Sequence, residues 1–160
     1  MTARHDGYMQ EQLDTKKGRN MALLEKSLAE RPEDPYVHFQ LGKQYDIQLQ
    51  YAEALPCYQR ARELVRNRPT WYHDLGVRTI ECLRHEGRLE EAMIFASDEM
   101  PYWEQSADFY FVVGCLLLDQ MQKHPEQGES LLSMIEESWL KALAIGERPE
   151  LAGNVSGRGS

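Results

Sequence analysis

PYVHFQLGKQYDIQLQYAEALPCYQRA, residues 35–61, is the stretch that decides how this chain folds. Leu41-Gly42, Tyr45, Tyr51, Ala54, Tyr58 and Ala61 follow one another at the spacing of two helices joined by a tight turn. Gly42 and Ala54 carry almost no side chain, so two helices can approach closely there. Tyr45 and Tyr58 fill the volume beside the close contact, and Ala61 leaves room for a further helix. Asp34-Pro35 reads as an N-cap followed by proline at the first helical position. The first helix is expected to reach about Gln48, and its partner to run from about Tyr51 to Arg66.

This order of residues resembles the tetratricopeptide repeat, a helix–turn–helix unit of roughly 34 residues with an L-G-x-x-Y element and a later alanine and aromatic. The resemblance implies an all-α fold: a right-handed superhelix of antiparallel helix hairpins, about seven helices in all. It also implies a binding scaffold and not a self-contained catalyst. Weaker copies of the pattern flank the clear one. From Thr15 an apolar stripe of Met21, Leu23, Leu24, Ser27 and Leu28 predicts a leading helix that Pro32 stops. Thr70 is a candidate cap for a third long helix carrying Tyr72, Leu75, Ile80 and Leu83. Gly87 turns the chain into Leu89, Ala92 and Ala96, although Leu75-Gly76 sits early for that register. Pro101 ends the hairpin and Ser106 is an N-cap for the next, where Tyr110, Val113-Gly114 and Leu117 restore the first-helix pattern. The partner positions, Ile135, Trp139 and Ala142, come late. Either longer helices or an extended loop around Met121 to Glu129 absorbs the difference.

Three segments follow. Residues 1–14 form a polar leader without apolar period, read as the possible end of an upstream catalytic domain. Residues 15–146 form the repeat domain, and residues 147–160 a flexible glycine- and serine-rich tail. No capping helix with a polar outer face follows Ile145, so Trp139, Leu140 and Leu143 are expected to form an open edge suited to a second copy of the chain.

The whole-chain numbers limit the function classes. The chain has 160 residues, 42% hydrophobic and 28% charged, which suits a globular protein. A net charge of −8 argues against nucleic acid, whose phosphates need a cationic face. No apolar run approaches the roughly 20 residues that span a bilayer. Cys57, Cys82 and Cys115 are odd in number, far apart and set in apolar helical stretches, so they read as reduced thiols and point to a cytoplasmic setting.

Catalytic constellations are not visible. Glu90-Glu91 and Glu136-Glu137 are adjacent helical residues that point roughly 100° apart and cannot share a proton. The histidines, His5, His38, His73, His85 and His124, show no i, i+4 pair, so no metal is expected. No glycine-rich phosphate loop and no activated nucleophile is present, and the reading calls for no cofactor and no catalytic residues.

In a tetratricopeptide stack the first helix of each pair lines a concave surface. The resemblance places Tyr36, Phe39, Gln40, Lys43 and Ile47 there from one repeat. Asp74, Val77, Arg78, Glu81 and Arg84 come from the next, then Asp108, Phe111, Val112, Cys115 and Leu118. That mixture of aromatic, aliphatic and charged residues suits a protein or peptide partner. Asn20, Asn67 and Asn154 all lie off the expected first helices, so the carboxylate clamp of chaperone-binding members is not expected.

A second resemblance covers residues 4–35. Arg4-His5-Asp6-Gly7-Tyr8, Arg19-Asn20 and Leu23-Leu24-Glu25 up to Pro32 resemble the junction in bacterial family-2 glycosyltransferases that carry such repeats behind the catalytic domain. It implies that His5 descends from a ligand of the metal–nucleotide-sugar complex. The nucleotide-binding sheet and the Asp-x-Asp motif of that family are absent, so sugar transfer by these residues is not expected. The reading is a non-catalytic module of a larger bacterial enzyme that holds a protein or peptide in its groove. Self-association is the alternative, and retained nucleotide-sugar binding is a third.

Overall fold

A computed structural model of the protein describes residues 2–146, with side chains from residue 11 onward save 13 and 14. The expected tail, 147–160, lies outside the described residues. These form seven α-helices and two single 3₁₀ turns, and no strand occurs among them. The helices are α1 (Thr2–Glu30), α2 (Pro35–Ile47), α3 (Tyr51–Leu64), α4 (Thr70–His85), α5 (Leu89–Glu99), α6 (Ala107–Lys123) and α7 (Gly128–Gly146). The chain divides after Val65 into two units, α1 to α3 and α4 to α7.

In the first unit α2 and α3 pack closely as an antiparallel pair. Asp34 caps α2, its carboxylate accepting from the backbone N–H of Tyr36, with Pro35 behind it. The core is Val37, Phe39, Leu41, Ala54, Leu55, Tyr58 and Ala61. Tyr58 lies fully buried over Gly42, and its hydroxyl donates to Asp46 at 2.8 Å. Helix α1 starts at Thr2 and not at Thr15. Residues 9–17, MQEQLDTKK, lack an apolar stripe, but most are strong helix formers and no proline interrupts them. Of the expected stripe, Met21, Leu24, Ser27 and Leu28 are half-buried, whereas Leu23 faces outward.

The second unit contains two hairpins, α4/α5 and α6/α7. Ser106 caps α6 as expected, its hydroxyl accepting from the N–H of Phe109. Thr70 does not cap α4. Pro69, extended at φ −64°, takes the N-cap position and Thr70 is the first helical residue. The surplus length of the last hairpin goes into helix: α6 and α7 run 17 and 19 residues, joined by a single 3₁₀ turn at Pro125–Gln127.

Three first-helix glycines behave differently. A methyl group on Gly42 would come within 2.6 Å of the Tyr58 ring, and on Gly114 it would overlap the Trp139 indole. On Gly76 it would meet nothing nearer than Trp103 Nε1 at 3.9 Å. No aromatic ring of α5 lies against Gly76, so the close approach seen at Gly42 and Gly114 has no counterpart there. Accordingly α4 and α5 touch far less extensively than the other two pairs.

The turns contrast as well. Gly87 adopts φ +73° between α4 and α5, and Leu49 adopts φ +61° in the α2–α3 turn with a 70% exposed side chain. An L-residue there costs about 1–2 kcal/mol, partly offset by the chain entropy that glycine loses on folding.

Gly42→Ala and Gly114→Ala are each expected to destabilise their unit by about 1–3 kcal/mol through overpacking. Gly76→Ala should be neutral or stabilise by up to about 1 kcal/mol, because it only improves helix propensity. Urea titrations followed by circular dichroism check this, and an equal effect at all three positions would refute the close-approach account. In the same assay Leu49→Gly is expected to stabilise by roughly 0.5 kcal/mol, whereas Gly87→Ala should cost about 1 kcal/mol.

Candidate interaction site

Within the second unit, α4 and α6 lie side by side and enclose a concavity of about 310 Å³. Helix α4 lines it with His73, Asp74, Val77, Glu81 and Arg84, and α6 with Asp108, Phe111, Val112 and Cys115. These positions recur every three or four residues and so share one face of each helix. All but His73 are residues that the repeat register assigns to the groove. The two remaining candidates from these helices lie beside it: Arg78 donates to Asp74 at 3.0 Å, and Leu118 is half-buried.

Val112 is buried and Val77 half-buried, giving the hollow an apolar floor. Phe111 stands above it, 58% exposed. Its ring stacks on that of Trp139 from α7, with centroids 6.3 Å apart and planes at 25°, and Trp139 Nε1 donates to the Phe111 carbonyl at 3.2 Å. Arg84 crosses from α4 to α6. Its Nε donates to Asp119 at 2.6 Å and its NH1 to Glu81 at 2.9 Å. Burial pushes the Cys115 thiol above its ordinary pKa; Arg84 pulls it down, and Glu81 and Asp119 add to the rise. In the first unit burial raises the Cys57 thiol to about 11.

The candidates of the first unit divide. Phe39 is not a groove residue: it is 2% exposed, its ring 6.1 Å from that of Tyr58, because the hairpin core needs an aromatic there. Tyr36 and Ile47 are exposed at 46% and 55%, and Gln40 is half-buried. Lys43, also half-buried, places its ammonium 5.3 Å from the Phe39 ring. The expected edge divides too. Leu140 and Leu143 are 65% and 60% exposed, joined by Leu132 at 48%. Trp139 instead turns toward α6, filling the space that Gly114 leaves.

Sequence reasoning missed a buried polar joint where the α5–α6 connection meets α4. Glu99 is 1% exposed and accepts from Arg68 NH1 at 3.1 Å and from Trp103 Nε1 at 3.3 Å. The Arg68 guanidinium lies 3.4 Å from the Tyr102 ring centroid and 4.8 Å from that of Tyr72. His73 Nε2 hydrogen-bonds the Ser106 hydroxyl, and both residues are buried. The Ser106 hydroxyl already accepts from the Phe109 N–H as the cap of α6, so the pair joins α4 to the start of α6. A buried carboxylate is the one signal in such a joint, and no residue spacing betrays it.

The thiols are expected to be poor nucleophiles. With its pKa near 11 against 9.0, Cys57 holds about 100-fold less thiolate than an ordinary cysteine at pH 7.5. Mass spectrometry after iodoacetamide treatment should show Cys57 labelling slowed to match, and Cys115 slowed to a lesser degree. Labelling of Cys57 at the rate of free cysteine would contradict its burial.

No family model matches the chain, and no curated protein matches it. Among solved structures the chain is similar to one named MamA MSR-1 C2, at 22% identity and a TM-score of 0.63, covering 84% of this chain and 70% of that one. That structure is a tetratricopeptide-type helical repeat. The fold of this protein is therefore all-α and tetratricopeptide-like.

Proposed function

We propose that this chain is a non-catalytic protein-interaction scaffold and that a partner segment docks in the concavity between α4 and α6. The observation that carries this reading is Phe111. A large aromatic side chain is held more than half exposed, braced from behind by Trp139, over an apolar floor with charged walls. A rigid aromatic beside a hollow is what a protein interface needs for an anchor contact, and charged residues around it select the partner. The acidic net charge of −8 speaks for protein and against nucleic acid. Three cysteines in the reduced thiol state fit a reducing, cytoplasmic compartment. No helix among the described residues is long and apolar enough to cross a membrane.

The setting we propose is the non-catalytic end of a bacterial family-2 glycosyltransferase, where the scaffold would hold a protein acceptor near the catalytic domain. Its support is the likeness of residues 4–35 to that junction and the helical state of Arg19-Asn20 through Leu28 within α1. A second reading, self-association, is favoured by the exposed Leu132, Leu140 and Leu143 on α7. Ultracentrifugation separates it: a dimer that Leu140→Glu and Leu143→Glu dissociate would establish that face as the contact.

For docking, p-benzoylphenylalanine is placed at position 111 in the native host, and at exposed position 90 on α5 as control. Irradiation is expected to give a discrete heavier adduct from position 111 and none from position 90. The adduct should be lost when Val77→Asp is added. Adducts from both positions alike, or from neither, would remove the concavity from the account.

A further inference from the structure

The charges around the concavity specify what enters it. Asp74, Glu81, Asp108 and Asp119 supply four carboxylates, against the two guanidiniums of Arg78 and Arg84. Both cations are already engaged: Arg78 with Asp74, and Arg84 with Glu81 and Asp119 together. The local balance is therefore two negative charges in excess. Asp108 sits exposed in the first turn of α6, where the helix dipole offsets part of its charge, and it forms no ion pair among the described residues. An incoming carboxylate would add a fifth negative charge to this set, whereas a cation meets carboxylates on both walls.

The apolar part of the hollow is as selective. Val77, Val112 and the open surface of Phe111 offer a lining for a methylene chain and a ring for a cation, with Asp74 and Asp108 among the charged residues around them. A long side chain with an apolar stem and a positive head matches both features, because its stem can bury while its head stays solvated and paired. A volume of about 310 Å³ lies at the small end of ligand-holding pockets, suiting one or two side chains and not a whole folded element. We propose that the partner segment inserts a lysine or arginine beside an apolar residue into this concavity, with Asp108 as the residue that selects the cation. This rests on the docking reading above and adds the chemistry of the occupant.

The test uses the full chain and a phage-displayed random dodecapeptide library. Selected peptides are synthesised and titrated by fluorescence anisotropy against the wild type, Phe111→Ala, Asp108→Asn and Asp108→Lys. Position 108 is exposed, and circular dichroism verifies that each variant folds. Selected sequences are expected to carry lysine or arginine next to an apolar residue. Replacing that basic residue by glutamine should weaken binding about tenfold, as should Asp108→Lys, with Asp108→Asn weaker in effect and binding falling as salt rises. Peptides that need Phe111 but keep their affinity with glutamine at the basic position would overturn the cation and leave the docking reading standing. No enriched peptide, or peptides indifferent to Phe111→Ala, would overturn both.

Discussion

The structure depends on one constraint: an aromatic ring of a second helix must lie against a first-helix position that has no side chain. Tyr58 over Gly42 meets it in the first unit, and Trp139 over Gly114 in the second. A ring so placed brings two backbones within reach and fills the space between them, so the contact is short-range and intolerant of one added methyl group. In the second unit it reaches further. The indole that covers Gly114 also donates to the Phe111 carbonyl and stacks beneath the Phe111 ring. The hairpin's own closest contact therefore holds the exposed aromatic in place, and the proposed docking site inherits its rigidity from the fold.

Helices α4 and α5 meet no such constraint, and a different device stands in their place. Arg68, just before α4, binds Glu99 at the end of α5, which also accepts from Trp103, and His73 of α4 hydrogen-bonds the capping Ser106. A buried carboxylate is costly unless its partners are correctly placed, so such a joint contributes less to stability than to geometry. It sets where α6 begins, and thereby where Asp108 and Phe111 stand relative to α4. His73 belongs to both arrangements, since it lines the concavity and anchors the cap.

Features that rest on local rules were legible in the sequence. Asp34-Pro35 and Ser106 are caps by their own chemistry, and the α4 and α6 residues of the concavity share faces because the helical period dictates it. Whatever needed a partner distant in sequence was not legible. Phe39 could face a groove or a core, and only its approach to Tyr58 decides. Trp139 was assigned to an edge because nothing local shows that Gly114, 25 residues earlier, is shaped to receive it. Arg68 and Glu99 stand 31 residues apart, with no spacing to announce their pairing. The early start of α1 was hidden for another reason: residues 9–17 are mostly strong helix formers that carry no apolar stripe. Leu49 escaped notice because a leucine gives no hint of a left-handed turn, although Gly87 at the matching turn does.

Arg84 joins stability to selectivity. Without a cation between them, Glu81 on α4 and Asp119 on α6 would repel across the gap that the concavity occupies. The guanidinium satisfies both, and its planar, multiply donating head can bridge two carboxylates where an ammonium would favour one. Being engaged on two sides, it lends little positive character to the mouth of the hollow. The same residue thus keeps the helices together and leaves the site acidic.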